Sequence, residues 1–260
     1  MRELRILWKA FIVTLQTRLE YRVDFVLGVL GSIGMQAASL GTLWVLLQSL
    51  PVLAGWRPPQ ILMIFGITAL VHGTSEIFFN QIWFTPVHVI RGQFDRLLVY
   101  PVRSLPFYLV TSPELHSFGN LISGLATFAV GAHASGVSLA WLLALPYWVA
   151  CGSLIYTAVL VFAGAAVVRV KGSYQQLFSL VNTLLQNSKF PVVVFPAAVQ
   201  CVLLVLVPLS VSSFIPVSAL TGRLPWLWAW VLPPLAALVL CNLAWKAWDQ
   251  AFLGYESTGS

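Results

Sequence analysis

Two ionisable side chains, His72 and Glu76, stand four residues apart within a long apolar run. Because residues at i and i+4 share one face of an α-helix, the imidazole and the carboxylate are predicted to lie side by side. Ionisable groups are costly inside a membrane, so such a pair indicates a proton relay or a substrate contact. The alternative is structural: they pair with each other or with a neighbouring helix, or Glu76 is hydrated near the interface. We favour the structural interpretation, because a relay usually shows further acids in other spans.

Residues 86–107 combine charge, aromatic rings and prolines between two long apolar runs. Pro86 and Pro101 bound a predicted helix over about 87–99, because proline disrupts a helix interior and restricts the residue before it. The alternative is a solvated loop whose amphipathic pattern is incidental. The predicted apolar face is formed by Phe94, Leu97 and Leu98, with Arg91 and Asp95 one turn apart on its flank.

The motifs of common enzymes and nucleotide-binding proteins are absent from the sequence. It contains no GxxxxGK[ST] loop, no HExxH motif, no nucleophile elbow and no paired cysteine metal site. Cys151, Cys201 and Cys241 lie far apart in apolar runs, so we interpret them as packing residues. The histidines other than His72 are scattered and supply no catalytic cluster. A membrane-embedded enzyme is therefore disfavoured, and any ATP-driven activity requires another subunit.

The composition is that of an integral membrane protein. Hydrophobic residues make up 59% and charged residues 8% of the chain, and the mean hydropathy is +0.87, whereas soluble proteins average roughly 25% charged residues. The 260 residues allow about six spans of roughly 20 residues and no separate soluble domain. We therefore predict an all-α, polytopic fold in which residues 1–260 form one transmembrane domain. The net charge of +6 does not indicate nucleic-acid binding, because the basic residues stand beside the spans.

Six apolar runs are candidate spans. They cover residues 23–50, 60–79, 114–131, 139–168, 174–207 with a break, and 226–248. If the N-terminus is cytoplasmic, eleven basic residues fall on the inner segments and two on the outer ones, with Lys189 unassigned. An excess of this size fits the positive-inside rule. Both termini and residues 86–107 are therefore predicted to be cytoplasmic.

Residues 1–22 are predicted to form an amphipathic helix lying along the membrane surface; the alternative is a soluble cytoplasmic helix. Trp8 and Phe11 belong to its apolar face, and basic residues lie opposite them. Because Arg18 would fall on the apolar face of a continuing helix, we expect a bend near Thr17. The start of the chain lacks a compact apolar core and a cleavage site, so we expect no removable signal peptide.

Residues 187–216 depart from a simple spanning helix, because four prolines interrupt an apolar stretch. Lys189 at the bilayer centre would cost roughly 2.5–3.5 kcal/mol on insertion scales, so we expect it near an interface or facing a wet cavity. Broken backbone at membrane depth requires surrounding protein or water. We therefore predict short re-entrant helices before the last span.

Two short patterns predict how helices start and meet. Ser112, Pro113 and Glu114 indicate a helix start at which Glu114 has a capping role. Small residues on the first span allow close helix approach and mark a candidate subunit interface. They are Gly28, Ser32, Gly34, Ala38 and Gly41.

The sequence G-x-F-D-R-L-L-x-x-P, from Gly92 to Pro101, resembles a motif of a known family. Together with the amphipathic N-terminal helix and six spans, it is similar to the permease subunits of type-2 ATP-binding-cassette (ABC) exporters. The chain end, from Trp248 to Gly259, is similar to the closing pattern of one branch of that family. The resemblance covers essentially the whole chain.

The resemblance implies a permease that pairs with an identical or sister permease in a prokaryotic plasma membrane. It would bind two ATPase subunits, which carry the ATP and Mg²⁺, and would itself bind no cofactor. Residues 86–107 would form a coupling helix, and residues 187–216 the re-entrant helices. The predicted ATPase contacts are Arg91, Gly92, Gln93, Phe94, Asp95, Arg96, Leu97, Leu98 and Pro101.

These observations together predict a non-catalytic transport subunit of an ATP-driven exporter. Its substrate is expected to be amphiphilic or apolar, of the drug, lipid or glycolipid class, because the spans offer almost no charged lining. The alternative is a proton-coupled secondary transporter or channel that uses His72 and Glu76. Internal inverted repeats would favour that alternative, and none is visible in the sequence.

Overall fold

The computed structural model describes residues 2–49, 52–100, 102–170 and 174–253. In these ranges twelve α-helices alternate with short turns, which confirms the all-α class. The helices are α1 (Arg2–Glu20), α2 (Arg22–Ser49), α3 (Pro58–Phe79), α4 (Thr85–Ile90), α5 (Phe94–Val99), α6 (Ser104–Leu109), α7 (Phe118–Ala134), α8 (Leu145–Val170), α9 (Tyr174–Asn187), α10 (Ala197–Cys201), α11 (Phe214–Leu220) and α12 (Trp226–Leu253).

Several stretches of the described chain are long and apolar enough to cross a membrane. Four of them are Arg22–Val45, Pro58–Ile90, Leu139–Arg169 and Trp226–Leu253. The bent pair Ala197–Leu206 and Leu209–Leu220, whose halves meet at 73°, is either a fifth, broken span or a re-entrant loop. By contrast, α7 has 17 residues and α9 has 14, fewer than the roughly 20 of a typical span. Four of the six predicted spans therefore correspond to helices that are long and apolar enough to cross a membrane, which is consistent with a multi-pass membrane protein.

The centre of the bundle is α3, because most of its side chains are buried. Glycines bring α7 against it: a Cβ on Gly66 would lie 2.6 Å from the Phe128 backbone nitrogen, and one on Gly124 would lie 2.8 Å from the Gly66 oxygen. Such close backbone approach is a common way for membrane helices to pack. On another side of α3, the hydroxyls of Ser75 and Thr157 hydrogen-bond at 2.7 Å and join it to α8.

The amphipathic N-terminal helix is present, but it ends later than expected. Helix α1 continues to Glu20 and breaks at Tyr21, not near Thr17. Arg18 is exposed and its Nη2 donates a hydrogen bond to Ser112 Oγ at 3.3 Å, so no charge is placed against an apolar surface and no earlier bend is needed. The Phe11 ring stacks on Phe78 at 5.8 Å, which holds α1 against the end of α3.

Residues 188–220 form a series of short helices, as the proline spacing predicts. The series includes a 3-10 turn at Val192–Val194, helix α10, a π-helical turn at Val202–Leu206, a 3-10 turn at Leu209–Ser212 and helix α11. Pro191, Pro196 and Pro208 each immediately precede one of these pieces. The interrupted backbone that the sequence predicts is therefore confirmed, while its depth in a membrane remains a prediction.

The two ends of α3 carry different structures. At its start, Arg223 Nη2 donates hydrogen bonds to the Gly55 carbonyl at 2.5 Å and to Gln60 Oε1 at 3.2 Å. The same guanidinium lies 4.4 Å from the centre of the Trp56 ring. This clamp joins the loop before α3 to the turn after α11. The opposite end of α3 leads into α4, α5 and α6.

Candidate functional site

Two regions carry the predicted site residues: residues 86–107, which we call the coupling segment, and a polar cavity beside α3. The single helix predicted over 87–99 is wrong, because α4 ends at Ile90 and α5 starts at Phe94. Gly92 lies between them with a φ of 63°, the left-handed conformation that commonly ends a helix and favours glycine. The coupling segment therefore turns a corner at Gly92.

The inner face of the coupling segment packs into the protein. Phe94 is 1% exposed, and its ring lies 5.1 Å from Tyr108, 5.2 Å from Phe252 and 6.0 Å from Trp248. Leu97 is also buried. These distances are typical of favourable aromatic pairs. The sequence groups Phe94 and Leu97 with the ATPase contacts; the structure buries both side chains and packs the Phe94 ring against α6 and α12.

Hydrogen bonds fix the same cluster of rings. Tyr108 Oη lies 2.9 Å from His88 Nδ1 and 3.2 Å from Thr85 Oγ1, and Trp248 Nε1 donates to Ser104 Oγ at 3.2 Å. Burial raises the pKa of Tyr108 above the usual value for tyrosine, so its hydroxyl stays protonated. The coupling segment is thus attached to α12 by packing and by directional bonds.

The outer face of the coupling segment offers both polar and apolar groups. Arg91 and Gln93 are exposed and Asp95 is half-buried. The side chains of Arg96 and Leu98, and all of Pro101, lie outside the described residues. Ile90 and Val99 are strongly exposed although they are apolar. A charged surface with exposed aliphatic groups is suited to contact with another protein.

The polar cavity has a volume of about 470 Å³ and lies between α2, α3, α7 and α9. His72 and Glu76 line it, and His72 Nδ1 lies 3.2 Å from Glu76 Oε2. The same carboxylate oxygen accepts hydrogen bonds from Ser117 Oγ at 2.6 Å and from Asn120 Nδ2 at 3.2 Å. The predicted pairing of His72 with Glu76, and of Glu76 with a neighbouring helix, is therefore confirmed.

The hydrogen bonds continue from Glu76 to α2 and fix the direction of two amides. Since Asn120 donates Nδ2 to Glu76, its Oδ1 is left to accept, and it accepts from Gln36 Nε2 at 2.9 Å. This assignment orients Gln36 as well. Gln36 and Asn120 are both buried. The network therefore links α2, α3 and α7. Its Gln36–Asn120 hydrogen bond joins two residues that are 84 positions apart in the sequence.

Sequence reasoning missed the role of His116. Its Nδ1 lies 3.0 Å from Glu114 Oε1 and its Nε2 lies 3.4 Å from Asp24 Oδ2. Glu114 also accepts the His116 backbone N–H, which confirms its capping role at the 3-10 turn Leu115–Ser117 that leads into α7. The short spacing of Glu114 and His116 is visible in the sequence, but the approach of Asp24 is a tertiary contact with no local signal.

Lys189 lines the cavity, one of the two placements expected from the sequence. Its Nζ lies 5.1 Å from the centre of the Phe65 ring, within the range of a cation–π interaction. The expectation of an almost uncharged lining is wrong, because tertiary packing gathers ionisable groups that are spread along the sequence. They are His72, Glu76, Glu114, His116 and Lys189.

The described residues contain no group of three or more histidine, cysteine, aspartate and glutamate side chains that could hold a metal ion.

Comparison with known proteins gives one result. The sequence model of a family described as ABC-2 family transporter protein matches residues 33–259. No curated protein and no solved structure matches the chain. The match includes the coupling segment and all of the cavity lining except Gly28, Gly31 and Ser32.

Proposed function

Because the chain belongs to the ABC-2 transporter family and is thus a permease subunit of an ABC transporter, we propose that it exports an amphiphilic substrate with energy from separate ATPase subunits. The substrate is of the drug, lipid or glycolipid class. Ionisable groups line the cavity at both of its ends, while Met35, Val71 and Leu185 supply apolar surface in the same space. A molecule with both a polar and an apolar part fits this lining better than a wholly apolar one.

The observation that carries the proposal is the attachment of the coupling segment to α12. An ATPase that pushes on the exposed residues Arg91 and Gln93 displaces α5. Since the Phe94 ring packs on Trp248 and Phe252, that displacement reaches the end of a membrane-spanning helix. A rigid cluster of rings transmits such a movement because protein interiors are closely packed.

The proposed assembly contains two permeases and two ATPase subunits in a prokaryotic plasma membrane. The second permease is identical or a sister chain, and the ATPases bind the ATP and Mg²⁺. In this arrangement both termini and the coupling segment face the cytoplasm, where ATP is available. The positive-inside distribution of basic residues supports this orientation.

Co-purification of ATPase activity with the tagged permease tests the coupling role. Arg91→Glu reverses a charge on the exposed face, and like-charge contacts at an interface cost several kcal/mol. We expect at least about a tenfold loss of the ATPase activity recovered with the permease, since 1.4 kcal/mol is tenfold. Arg57→Glu, an exposed arginine at the other end of α3, is the control and should recover the normal amount. Equal recovery with both variants would contradict the contact.

A second function is supported by the His72–Glu76 pair, because the structure places it inside the cavity. In a proton-coupled transporter this pair would exchange protons with the solvent. The permease reconstituted alone into vesicles with a pH gradient distinguishes the two functions. Substrate movement that needs no ATPase and is abolished by Glu76→Gln would overturn the proposal of an ATP-driven exporter.

A further inference from the structure

Lys189 differs from the other charged side chains of the polar cavity in having no acidic partner. Glu76 is paired with His72, and Glu114 with His116, at 3.2 and 3.0 Å. Among the described residues no carboxylate lies within ion-pair distance of Lys189, and its Nζ lies 5.1 Å from the centre of the Phe65 ring. The acids of the cavity thus have hydrogen-bonding partners within the protein, whereas its lysine has no acidic partner among the described residues.

Lys189 contacts α3 at Phe65, away from the level of Glu76. Phe65 precedes Glu76 by eleven residues, which corresponds to about 16 Å along a helix. The backbone carbonyl of Ser188 lies 3.3 Å from Thr68 Oγ1, which fixes the end of α9 at the middle of α3. The cavity therefore has an acidic, internally paired end and a cationic, unpaired end.

The surroundings of Lys189 are those of a binding site and not of a solvated surface. The side chain is only partly exposed, and an unpaired ammonium in such a place is costly to desolvate. Leu185, Leu209 and Val71 add apolar surface to the lining. Met35 of α2, which also lines the cavity, is 73% exposed. The cavity therefore opens at the surface of the bundle along α2.

We propose that Lys189 binds the anionic head group of an amphiphile, a phosphate or a carboxylate, that enters the polar cavity between α2 and α9. The head group supplies the missing countercharge. The apolar part of the amphiphile lies against the aliphatic lining and extends out of the cavity through the opening beside Met35. Binding of the amphiphile at Lys189 does not depend on the proposed transport function. Only the statement that the bound amphiphile is also the transported substrate rests on that function. Free phosphate shares the head-group chemistry but lacks the apolar part.

Binding to the purified full-length permease in an uncharged detergent tests the site without any ATPase subunit. The probes are dioctanoyl phosphatidic acid, dodecanoate, dioctanoyl phosphatidylcholine and inorganic phosphate. We expect at least one of the two anionic amphiphiles to bind at least tenfold more tightly than phosphatidylcholine. Lys189→Met should abolish this preference, whereas Lys189→Arg, which keeps the charge, should retain most of it.

Lys246→Met is the matched control, because it removes an exposed lysine of α12 that does not line the cavity. It should bind every probe as the wild type does. An unchanged preference in Lys189→Met, or no preference in the wild type, would overturn the site. Equal affinity for inorganic phosphate and phosphatidic acid would contradict the claim that the ligand is an amphiphile and would indicate a free anion instead. None of these results depends on ATPase recovery, so failure here leaves the permease role standing.

Discussion

Asn120 is the residue on which the polar network of the cavity depends most. It donates to the Glu76 carboxylate and accepts from Gln36, so one amide joins α7 to both α3 and α2. Replacing Asn120 by leucine, which has a similar shape, leaves the half-buried Glu76 carboxylate and the buried Gln36 amide each without one partner. An unsatisfied buried group costs about 1–3 kcal/mol, so we expect a clearly lower melting temperature in detergent.

Asn242→Leu provides the comparison for this prediction. Asn242 is exposed on α12 and bonds only locally, to the Leu238 carbonyl four residues earlier. Its replacement should leave the melting temperature nearly unchanged. If Asn120→Leu melts no lower than Asn242→Leu, the network contributes little to stability and the cavity is held by packing alone.

At the residue scale, the sequence could predict contacts between neighbours on one helix and little else. The His72–Glu76 pair follows from the spacing of the two residues, and the structure confirms it. Gln36, Asn120 and His116 were not predicted as cavity residues, because each acquires its role from a helix far away in the sequence. Amphipathic spacing placed Phe94 on an apolar face but could not show which surface that face meets.

Helix α2 uses its small residues on two different surfaces. A Cβ on Gly119 of α7 would lie 2.6 Å from the Ser32 Cβ, so this side of α2 is packed within the subunit. A Cβ on Gly34 or Gly41 would meet no atom of another described element within 4 Å. The candidate subunit interface therefore narrows to the face that contains Gly34 and Gly41.

Leucine substitutions distinguish the two surfaces. Gly119→Leu must push α2 away from α7, and overpacking of this kind typically costs 1–3 kcal/mol or more, so we expect a lower melting temperature. Gly34→Leu should leave the melting temperature unchanged, because there is space for the side chain. If the open face of α2 contacts a second permease, Gly34→Leu should shift the chain towards the monomer in size-exclusion chromatography. Equal loss of stability in both variants would contradict the assignment of the two faces.

Helix boundaries were predictable where local chemistry decides them. The prolines correctly predicted the interruptions after α9, and the long apolar runs correctly predicted α2, α3, α8 and α12. The break in the coupling segment was missed although Gly92 is visible in the sequence, because an isolated glycine is tolerated within a helical pattern and does not by itself show where a helix ends. The later end of α1 depends on the contact of Arg18 with Ser112, which is tertiary.

At the scale of the whole molecule, the two ends of the bundle are predicted to face different compartments. The coupling segment lies at one end of α3, and the Arg223 clamp on the loop before α3 lies at the other. On the orientation predicted from the sequence, eleven basic residues fall on the inner segments, which include the coupling segment, and two on the outer ones. Short loops rich in lysine and arginine stay in the cytoplasm, so the clamp should face outward.

Cysteine labelling in intact cells tests this orientation. In a variant without Cys151, Cys201 and Cys241, single cysteines replace Val52, exposed near the clamp, or Gln93, exposed on the coupling segment. A membrane-impermeant maleimide should label Val52→Cys in intact cells and Gln93→Cys only after permeabilisation. The reverse pattern would contradict both the orientation and the ATPase contact, because ATP is supplied from the cytoplasm and an outward-facing coupling segment could not reach an ATPase there.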